Sequence, residues 1–175
     1  CNYFKSEKAR FARMKGPVEL IVGAVRMAGT YQTPTLEVYQ LAQQAFFMGQ
    51  GLLQPPTVEG WHEGEEWVDS GALVERVNFA AKELGNVNSP GVQAIINRLA
   101  DMSAGTPFTP EEFVDGCLDL VGPIDVTKDT YDSLVEFAYR KGDISLRNHK
   151  TGDTSECRVS DMLRLVASTP EYQRA

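Results

Sequence analysis

The sequence predicts an all-α fold, an irregular bundle of about seven helices interrupted by one long loop rich in proline, glycine and tryptophan. Three observations support this prediction. Apolar residues recur at helical spacing along seven segments, several segments begin at strong capping residues, and no convincing run alternates as a strand would. The length of 175 residues suits a single domain, so we expect residues 1–175 to form one helical unit.

The seven apolar stripes follow one another along the chain, and each is wide enough to face a core. The first follows Pro17, and the second is expected to begin near Pro34. Gly85 ends the third, Gly142 ends the sixth, and the seventh stops before Pro170. The stripes are Val18, Ile21, Val22 and Val25; Val38, Leu41, Ala42, Ala45 and Phe46; Leu73, Val77, Ala80, Ala81 and Leu84; Val92, Ile95, Ile96 and Leu99; Phe113, Cys117, Leu120 and Val121; Tyr131, Leu134, Val135 and Ala138; and Val159, Met162, Leu163 and Val166.

Three helix starts carry residues that can accept hydrogen bonds from the first turn. Ser89 precedes Pro90, a residue favoured in a first turn. Thr109 and Glu112 have the spacing of a capping box, in which each side chain bonds the other's backbone NH. Thr127 is expected to cap the sixth helix. The short segment from residue 144 to residue 146 is expected to be loop or an isolated bridge.

The segment from residue 49 to residue 67 separates the second helix from the third and stands apart in composition. Pro55 and Pro56 forbid helix there, and both tryptophans of the chain lie in it. Long irregular segments in compact domains are often functional. We therefore expect any binding site to use the aromatic, histidine and acidic residues of this loop and its end, which are Trp61, His62, Glu63, Glu65, Glu66, Trp67 and Asp69.

Several interpretations of this loop are open. The two tryptophans are either apolar anchors that hold the loop on the helices or a platform that receives a sugar or a peptide. The carboxylates suit calcium or magnesium, and His62 would add a transition-metal ligand, but their order matches no known ligand spacing. A hydrolase would use His62 as its base and a neighbouring carboxylate as acid. The pattern predicts no specific metal site, catalytic residue or cofactor. His149 is expected to lie in an exposed polar turn.

The composition of the chain restricts which kinds of partner are expected. The formal net charge is −7, and an acidic chain repels phosphate backbones, so nucleic acid is not expected as a partner. No apolar run approaches the length that spans a bilayer, so the chain is not expected to be transmembrane. Cys117 lies on an apolar helical stripe and is expected to be a buried thiol, with a disulfide to Cys157 as the alternative.

Motifs along nearly the whole chain resemble a widespread bacterial family known as domain of unknown function 1800. The first is Lys15-Gly16-Pro17-Val18-Glu19-Leu20, with Arg26 after it. The second is Pro55-Pro56-x-Val58-x-Gly60-Trp61, followed by Gly64 and Trp67. Later matches are Ser70, Leu73, Arg76, Asn78, Phe79 and the segment Ala167-Ser168-Thr169-Pro170-Glu171-Tyr172-Gln173. The chain departs from the family pattern at Thr57 and Glu63, where the family usually has asparagine and glycine.

The resemblance implies a helical fold and frequently an exported, extracytoplasmic protein. Members are longer, so the chain is expected to be the C-terminal part of a larger protein. Family members often occur beside a sulfatase-like protein of domain of unknown function 1501, which suggests that protein as a partner. The expectation is a non-catalytic interaction or scaffold domain. The alternative is a hydrolase-like enzyme, or a carbohydrate- or metal-binding module, that uses residues 55–69.

Overall fold

The computed structural model describes residues 12–33, 35–103, 106–122, 124–140, 144 and 154–174. Within these ranges the chain forms helices and three isolated bridges, with no strand or sheet, which confirms the predicted all-α fold. Ile144 pairs with Phe108 in one of those bridges. The helices are α1 (Pro17–Ala28), α2 (Val38–Phe47), α3 (Ser70–Leu84), α4 (Pro90–Met102), α5 (Pro110–Val121), α6 (Lys128–Arg140) and α7 (Thr154–Ala167), with a short 3₁₀ helix at Gly64–Trp67.

Helices α3 and α7 lie at the middle of the bundle. Helix α3 packs against α1 and α7, while α7 also contacts α4, α5 and α6. The apolar stripes of α1, α4, α5 and α7 supply most of the core, including Leu20, Ile96, Phe113 and Met162, all of which are buried. No described helix is both long enough and apolar enough to cross a bilayer.

Helix α2 is the exception to the predicted burial. Its stripe was expected to face the core, yet only Ala45 is buried within the helix. Val38 and Phe46 are exposed, so the prediction that they face the core is wrong. Val22 of α1 is also exposed, because α1 buries the neighbouring face that carries Leu20 and Ile21. An apolar stripe marks a face that can be buried, and burial also requires a neighbouring element to cover it.

The predicted caps have different outcomes. At α5 the capping box is present: the Glu112 amide donates to Thr109 Oγ1 at 3.2 Å, and the Thr109 amide donates to Glu112 Oε2 at 2.9 Å. At α6, Thr127 Oγ1 accepts from the Thr130 amide at 3.4 Å. Ser89 occupies the cap position of α4, but its hydroxyl is buried without a hydrogen-bond partner among the described residues. The predicted cap position of Ser89 is therefore confirmed, whereas its side chain makes no capping hydrogen bond to α4.

A buried arginine joins the two ends of the described chain. Arg76 of α3 donates from Nη2 to the Lys15 carbonyl at 2.7 Å and from Nε to Gln173 Oε1 at 3.1 Å. Lys15 in turn donates from Nζ to the Tyr172 carbonyl at 2.7 Å. Burial lowers the pKa of Arg76, and the charge of Glu19 partly offsets that effect. We call Lys15, Arg76, Tyr172 and Gln173 the arginine clamp.

Helices α1 and α4 cross where both backbones come close together. A Cβ atom added at Gly91 would lie 1.9 Å from the Met27 carbonyl oxygen, so only glycine fits at this crossing. Gly29 ends α1 with a φ of 68°, a conformation that glycine adopts without strain. The crossing fixes the start of α4 against the end of α1.

The two described cysteines are free. Cys117 is buried in α5, as the sequence predicts, and Cys157 of α7 is exposed, so no disulfide joins them. Burial raises the pKa of the Cys117 thiol well above its usual range. A buried thiol of this kind is unreactive. His149 lies outside the described residues.

Candidate functional site

The segment that follows α2 folds back on itself and is held by its own hydrogen bonds. The Trp61 indole Nε1 donates to the Gly51 carbonyl at 2.9 Å, across ten residues of the loop. Gln50 Oε1 accepts from the Val18 amide at 2.9 Å, which ties the start of the loop to the first turn of α1. The loop is therefore an ordered element whose two bonds fix it to itself and to the bundle.

The two tryptophans have different environments. Trp67 is buried, with 6% of its surface exposed, and it ends the short 3₁₀ helix. Trp61 is only partly buried. Trp67 is therefore the apolar anchor of the loop, while Trp61 holds the loop's shape through its indole hydrogen bond.

His62 is exposed and paired with a carboxylate. Its Nδ1 lies 2.9 Å from Glu66 Oε2, one helical turn away. The His62 ring also meets the edge of Trp67, with 6.3 Å between ring centroids. When His62 is neutral and Nδ1 donates to Glu66, Nε2 is left as a proton acceptor. This pair is the one arrangement in the loop that resembles a general base with its orienting carboxylate.

A cleft of about 840 Å³ opens between α2, the loop and the start of α3. Its lining is partly apolar and partly histidine and carboxylate. We call it the aromatic–acidic cleft. Its apolar lining includes Phe46, Phe47, Pro56 and Trp67, and its polar lining includes His62, Glu66, Asp69 and Glu75.

One carboxylate that lines the cleft, that of Asp69, also stabilises the fold. Asp69 Oδ1 accepts from the Ala72 amide at 2.7 Å and so caps α3. This cap starts the helix that carries both Arg76 and Glu75. Glu75 itself is exposed and makes no hydrogen bond or ion pair with any described residue.

A second depression, of about 1070 Å³, lies on the opposite side of the loop against α1. Trp61 and Glu63 line this one, and His62 and Trp67 line both. Glu65 lines neither and faces a groove near the C-terminal turn. The structure thus brings His62, Glu66, Trp67 and Asp69 into one cleft and separates the other three predicted residues from it.

Besides these four, further residues that were not predicted as site residues line the cleft, and three of them, Phe46, Phe47 and Glu75, contribute its other aromatic and acidic side chains. Phe46 was assigned to the buried stripe of α2 and Phe47 lies outside that stripe, so one apolar residue off the stripe was the only sign of the aromatic pair. Glu75 had no comparable pattern, because a single acidic residue on a helix is ordinarily a solvated one.

Metal binding finds no support in the geometry of the described residues. Among them, no three His, Cys, Asp or Glu side chains stand close enough together to hold an ion. Glu66, Asp69 and Glu75 place three carboxylates along the cleft.

Comparison with protein families gives a match over nearly the whole chain. The model of a family described as "Protein of unknown function (DUF1800)" matches residues 2–174. The chain belongs to this family. No curated protein and no solved structure matches it.

Several residues that carry the family resemblance have structural roles in the bundle. Lys15, Arg76, Tyr172 and Gln173 belong to three separate stretches of DUF1800-like sequence, and all four form the arginine clamp. These motif residues are buried or half-buried and none lines the aromatic–acidic cleft. In this DUF1800 chain, the clamp motifs hold the bundle together, whereas Pro56 and Trp67 of the loop motif face the cleft.

Proposed function

We propose that this chain is a non-catalytic interaction domain that binds a partner protein through α2 and the segment after it. The observation that carries the proposal is the concentration of exposed apolar side chains there. Of the thirteen large hydrophobic residues exposed in the described chain, eight lie between residues 36 and 58. We call this region the α2 surface; its exposed members are Leu36, Val38, Tyr39, Phe46, Phe47, Leu52, Leu53 and Val58.

Physical reasoning supports docking at this surface. Single exposed apolar residues are common, but contiguous apolar surface mostly marks an interaction site. Phe46 and Phe47 keep 59% and 60% of their surface exposed, with ring centroids 6.2 Å apart in an edge-to-face arrangement. Aromatic residues are enriched in the buried centre of protein interfaces. The start of the loop, which the Trp61 and Gln50 bonds hold, lies against one of these rings, since a Cβ added at Gly51 would be 3.1 Å from Phe46 Cδ2.

The first partner to test is the sulfatase-like protein of domain of unknown function 1501, because the family resemblance suggests it. Binding is measured by calorimetry with the purified proteins, comparing the wild type with a Phe46→Ser/Phe47→Ser variant. We expect the variant to bind at least about tenfold more weakly, since central aromatic residues dominate interface energy. Tyr139→Ser is the matched control, because Tyr139 is an exposed aromatic residue on α6, away from the α2 surface.

Two results would count against the proposal. Equal affinity of the Phe46→Ser/Phe47→Ser variant and the wild type would remove the α2 surface as the contact region. Absence of any binding by the wild type would remove this partner. The resemblance also supports an extracytoplasmic location, which fractionation of the native bacterium, with immunodetection of the full-length protein, would test.

A hydrolase is the second candidate, and the His62–Glu66 pair favours it. The pair stands where the two depressions meet, with a 2.9 Å separation suited to an oriented base. A panel of chromogenic glycoside, ester and phosphate substrates would test for turnover. Activity that His62→Gln abolishes and Glu65→Gln leaves unchanged would establish the enzyme, and inactivity of the wild type on every substrate would remove this candidate from consideration.

A further inference from the structure

We propose that the occupant of the aromatic–acidic cleft is a short basic, amphipathic segment of the partner, with apolar residues on the α2 surface and a Lys or Arg side chain inside the cleft. This inference rests on the proposed function and adds the chemistry of the partner to it. Four features of the cleft carry it: the sign of its charge, its aromatic lining, its size and the availability of one carboxylate.

The charge of the cleft has a single sign. Glu66, Asp69 and Glu75 line it, and none of the described residues that line it is Lys or Arg. A concave surface lined by one sign of charge focuses its field and raises the local concentration of the opposite charge. A cationic group is therefore attracted, while phosphate, sulfate and acidic peptides are repelled.

The aromatic lining also favours a cation on an apolar stem. The faces of aromatic rings attract ammonium and guanidinium groups, and Phe46 and Phe47 contribute exposed rings beside the carboxylates. Lys and Arg carry long apolar stems that cover hydrophobic surface while the charged head reaches a polar group. A stem against the phenylalanines with its head at Glu75 matches both parts of the cleft lining.

The size of the cleft admits one long side chain, and its position beside the α2 surface favours a segment of chain as the occupant. A volume of about 840 Å³ falls within the range of sites that enclose a whole small ligand. The cleft is continuous with the α2 surface through Phe46 and Phe47, which belong to both. A peptide segment can place one side chain in the cleft and its apolar neighbours on the surface, as amphipathic helices do in hydrophobic grooves.

The three carboxylates of the cleft differ in whether their oxygens are free to bind a cation. Asp69 is occupied as the cap of α3, and one oxygen of Glu66 contacts His62. Glu75 has no partner among the described residues, which leaves both of its oxygens for a bidentate contact with a guanidinium group. A second copy of this chain is a poor occupant, because its net charge of −7 opposes association with an acidic cleft.

The test uses two short synthetic peptides with apolar residues at helical spacing. One carries Lys and Arg at its polar positions, and the other carries Glu at the same positions. Binding to the whole chain is followed by tryptophan fluorescence, since Trp67 lines the cleft and Trp61 lies nearby in the loop. We expect the basic peptide to bind and the acidic one not to bind, with affinity that falls as salt is raised.

The variants identify the cleft as the place of binding. Glu66→Gln/Glu75→Gln is expected to weaken the basic peptide about tenfold, because it removes charges that face the bound cation. Glu63→Gln/Glu65→Gln is the matched control, since it also removes two charges and both residues are exposed, close in sequence and outside the cleft. Circular dichroism melting of all variants shows whether they fold. Equal weakening by Glu63→Gln/Glu65→Gln would mean that only net charge matters and would overturn the proposal.

Other outcomes separate this inference from the function on which it rests. Equal binding of the two peptides, or no effect of Glu66→Gln/Glu75→Gln, would overturn the basic ligand. If Phe46→Ser/Phe47→Ser still weakened binding in that case, the α2 surface would remain a docking site with a different partner chemistry. Failure of the basic peptide to bind, together with binding of a neutral oligosaccharide such as maltohexaose, would replace the peptide with a sugar as the occupant.

Discussion

Arg76 and Gln173 are hydrogen bonded at 3.1 Å across 97 residues of sequence, with both side chains buried. The bond links the middle of the central helix α3 to the turn that follows α7. The guanidinium group also donates to the Lys15 carbonyl, so one side chain bonds the stretch before α1 and the turn after α7, which lie side by side.

The first prediction concerns coupling within this clamp. Arg76→Met and Gln173→Met are each expected to destabilise the fold, because each leaves a buried polar group without a partner at a cost of about 1–3 kcal/mol. In a double-mutant cycle by urea unfolding, the two changes should couple by at least about 0.5 kcal/mol, as contacting residues do. Purely additive effects would show that the two side chains do not act together.

The second prediction separates the two tryptophans. Trp67→Ala should lower the free energy of unfolding by about 3–5 kcal/mol, the usual cost of truncating a buried tryptophan. Trp61→Phe should cost about 1 kcal/mol, since it mainly removes the hydrogen bond to Gly51. Chemical denaturation of both variants checks the order. A larger loss for Trp61→Phe than for Trp67→Ala would contradict the assignment of Trp67 as the anchor.

The third prediction compares Gly91 with Gly23, two glycines that both lie within helices. Gly91→Ala should destabilise strongly or prevent folding, because its Cβ would collide with the Met27 carbonyl at the crossing of α1 and α4. Gly23→Ala should instead stabilise by up to about 1 kcal/mol, since alanine is the better helix former. Apart from its own chain neighbours and helix backbone, no atom of the described residues lies within 4 Å of a Cβ at Gly23, so no neighbour among them opposes that gain. Thermal melting of both variants measures the contrast, and a neutral Gly91→Ala would refute the close crossing.

The fourth prediction is a dependence on alkaline pH. Burial raises the pKa of Tyr172 from 10.0 to about 12. The native state therefore holds the phenol proton more tightly than the unfolded chain does. Stability from this group is fully present below pH 10 and is lost as the pH rises towards 12, by up to about 3 kcal/mol.

The control for this prediction is Tyr172→Phe, which has no proton to lose. The pKa of Lys15 is lowered by burial, which has the opposite effect on alkaline stability, but wild type and variant share that residue. The measurement is therefore the difference between their urea midpoints as the pH rises from about 8 to about 11.5. A constant difference over that range would show that Tyr172 ionises freely in the native state.

Much of the bundle is predictable from local patterns, because helical period and capping act within one or two turns. The stripes of α4, α5 and α7 face the core as predicted, and Thr109 caps α5 as its spacing indicates. The exposed face of α2 was not predictable in this way. Its periodicity is that of a buried helix, and only the arrangement of its neighbours leaves Phe46 uncovered.

The candidate site was predicted only in part for a related reason. The loop's composition pointed to His62, Glu66 and Trp67, which do meet in one cleft. The rest of the lining comes from α2 and α3, and nothing local in their sequences says that Phe47 and Glu75 line the same cleft. Arg76 illustrates the same limit, since a charged residue that bonds a distant carbonyl has no sequence pattern of its own.

The bond between Gln50 and the Val18 amide makes that amide a reporter of the loop. Amides in the first turn of a helix have no partner within the helix, so this one is protected from solvent only while Gln50 stays in place. Opening of the loop would expose it long before the bundle unfolds, because local openings cost less than global ones. A ligand that stabilises the loop would therefore slow hydrogen exchange at the Val18 amide. Exchange at this amide would then report occupancy of the cleft from the opposite side of the segment.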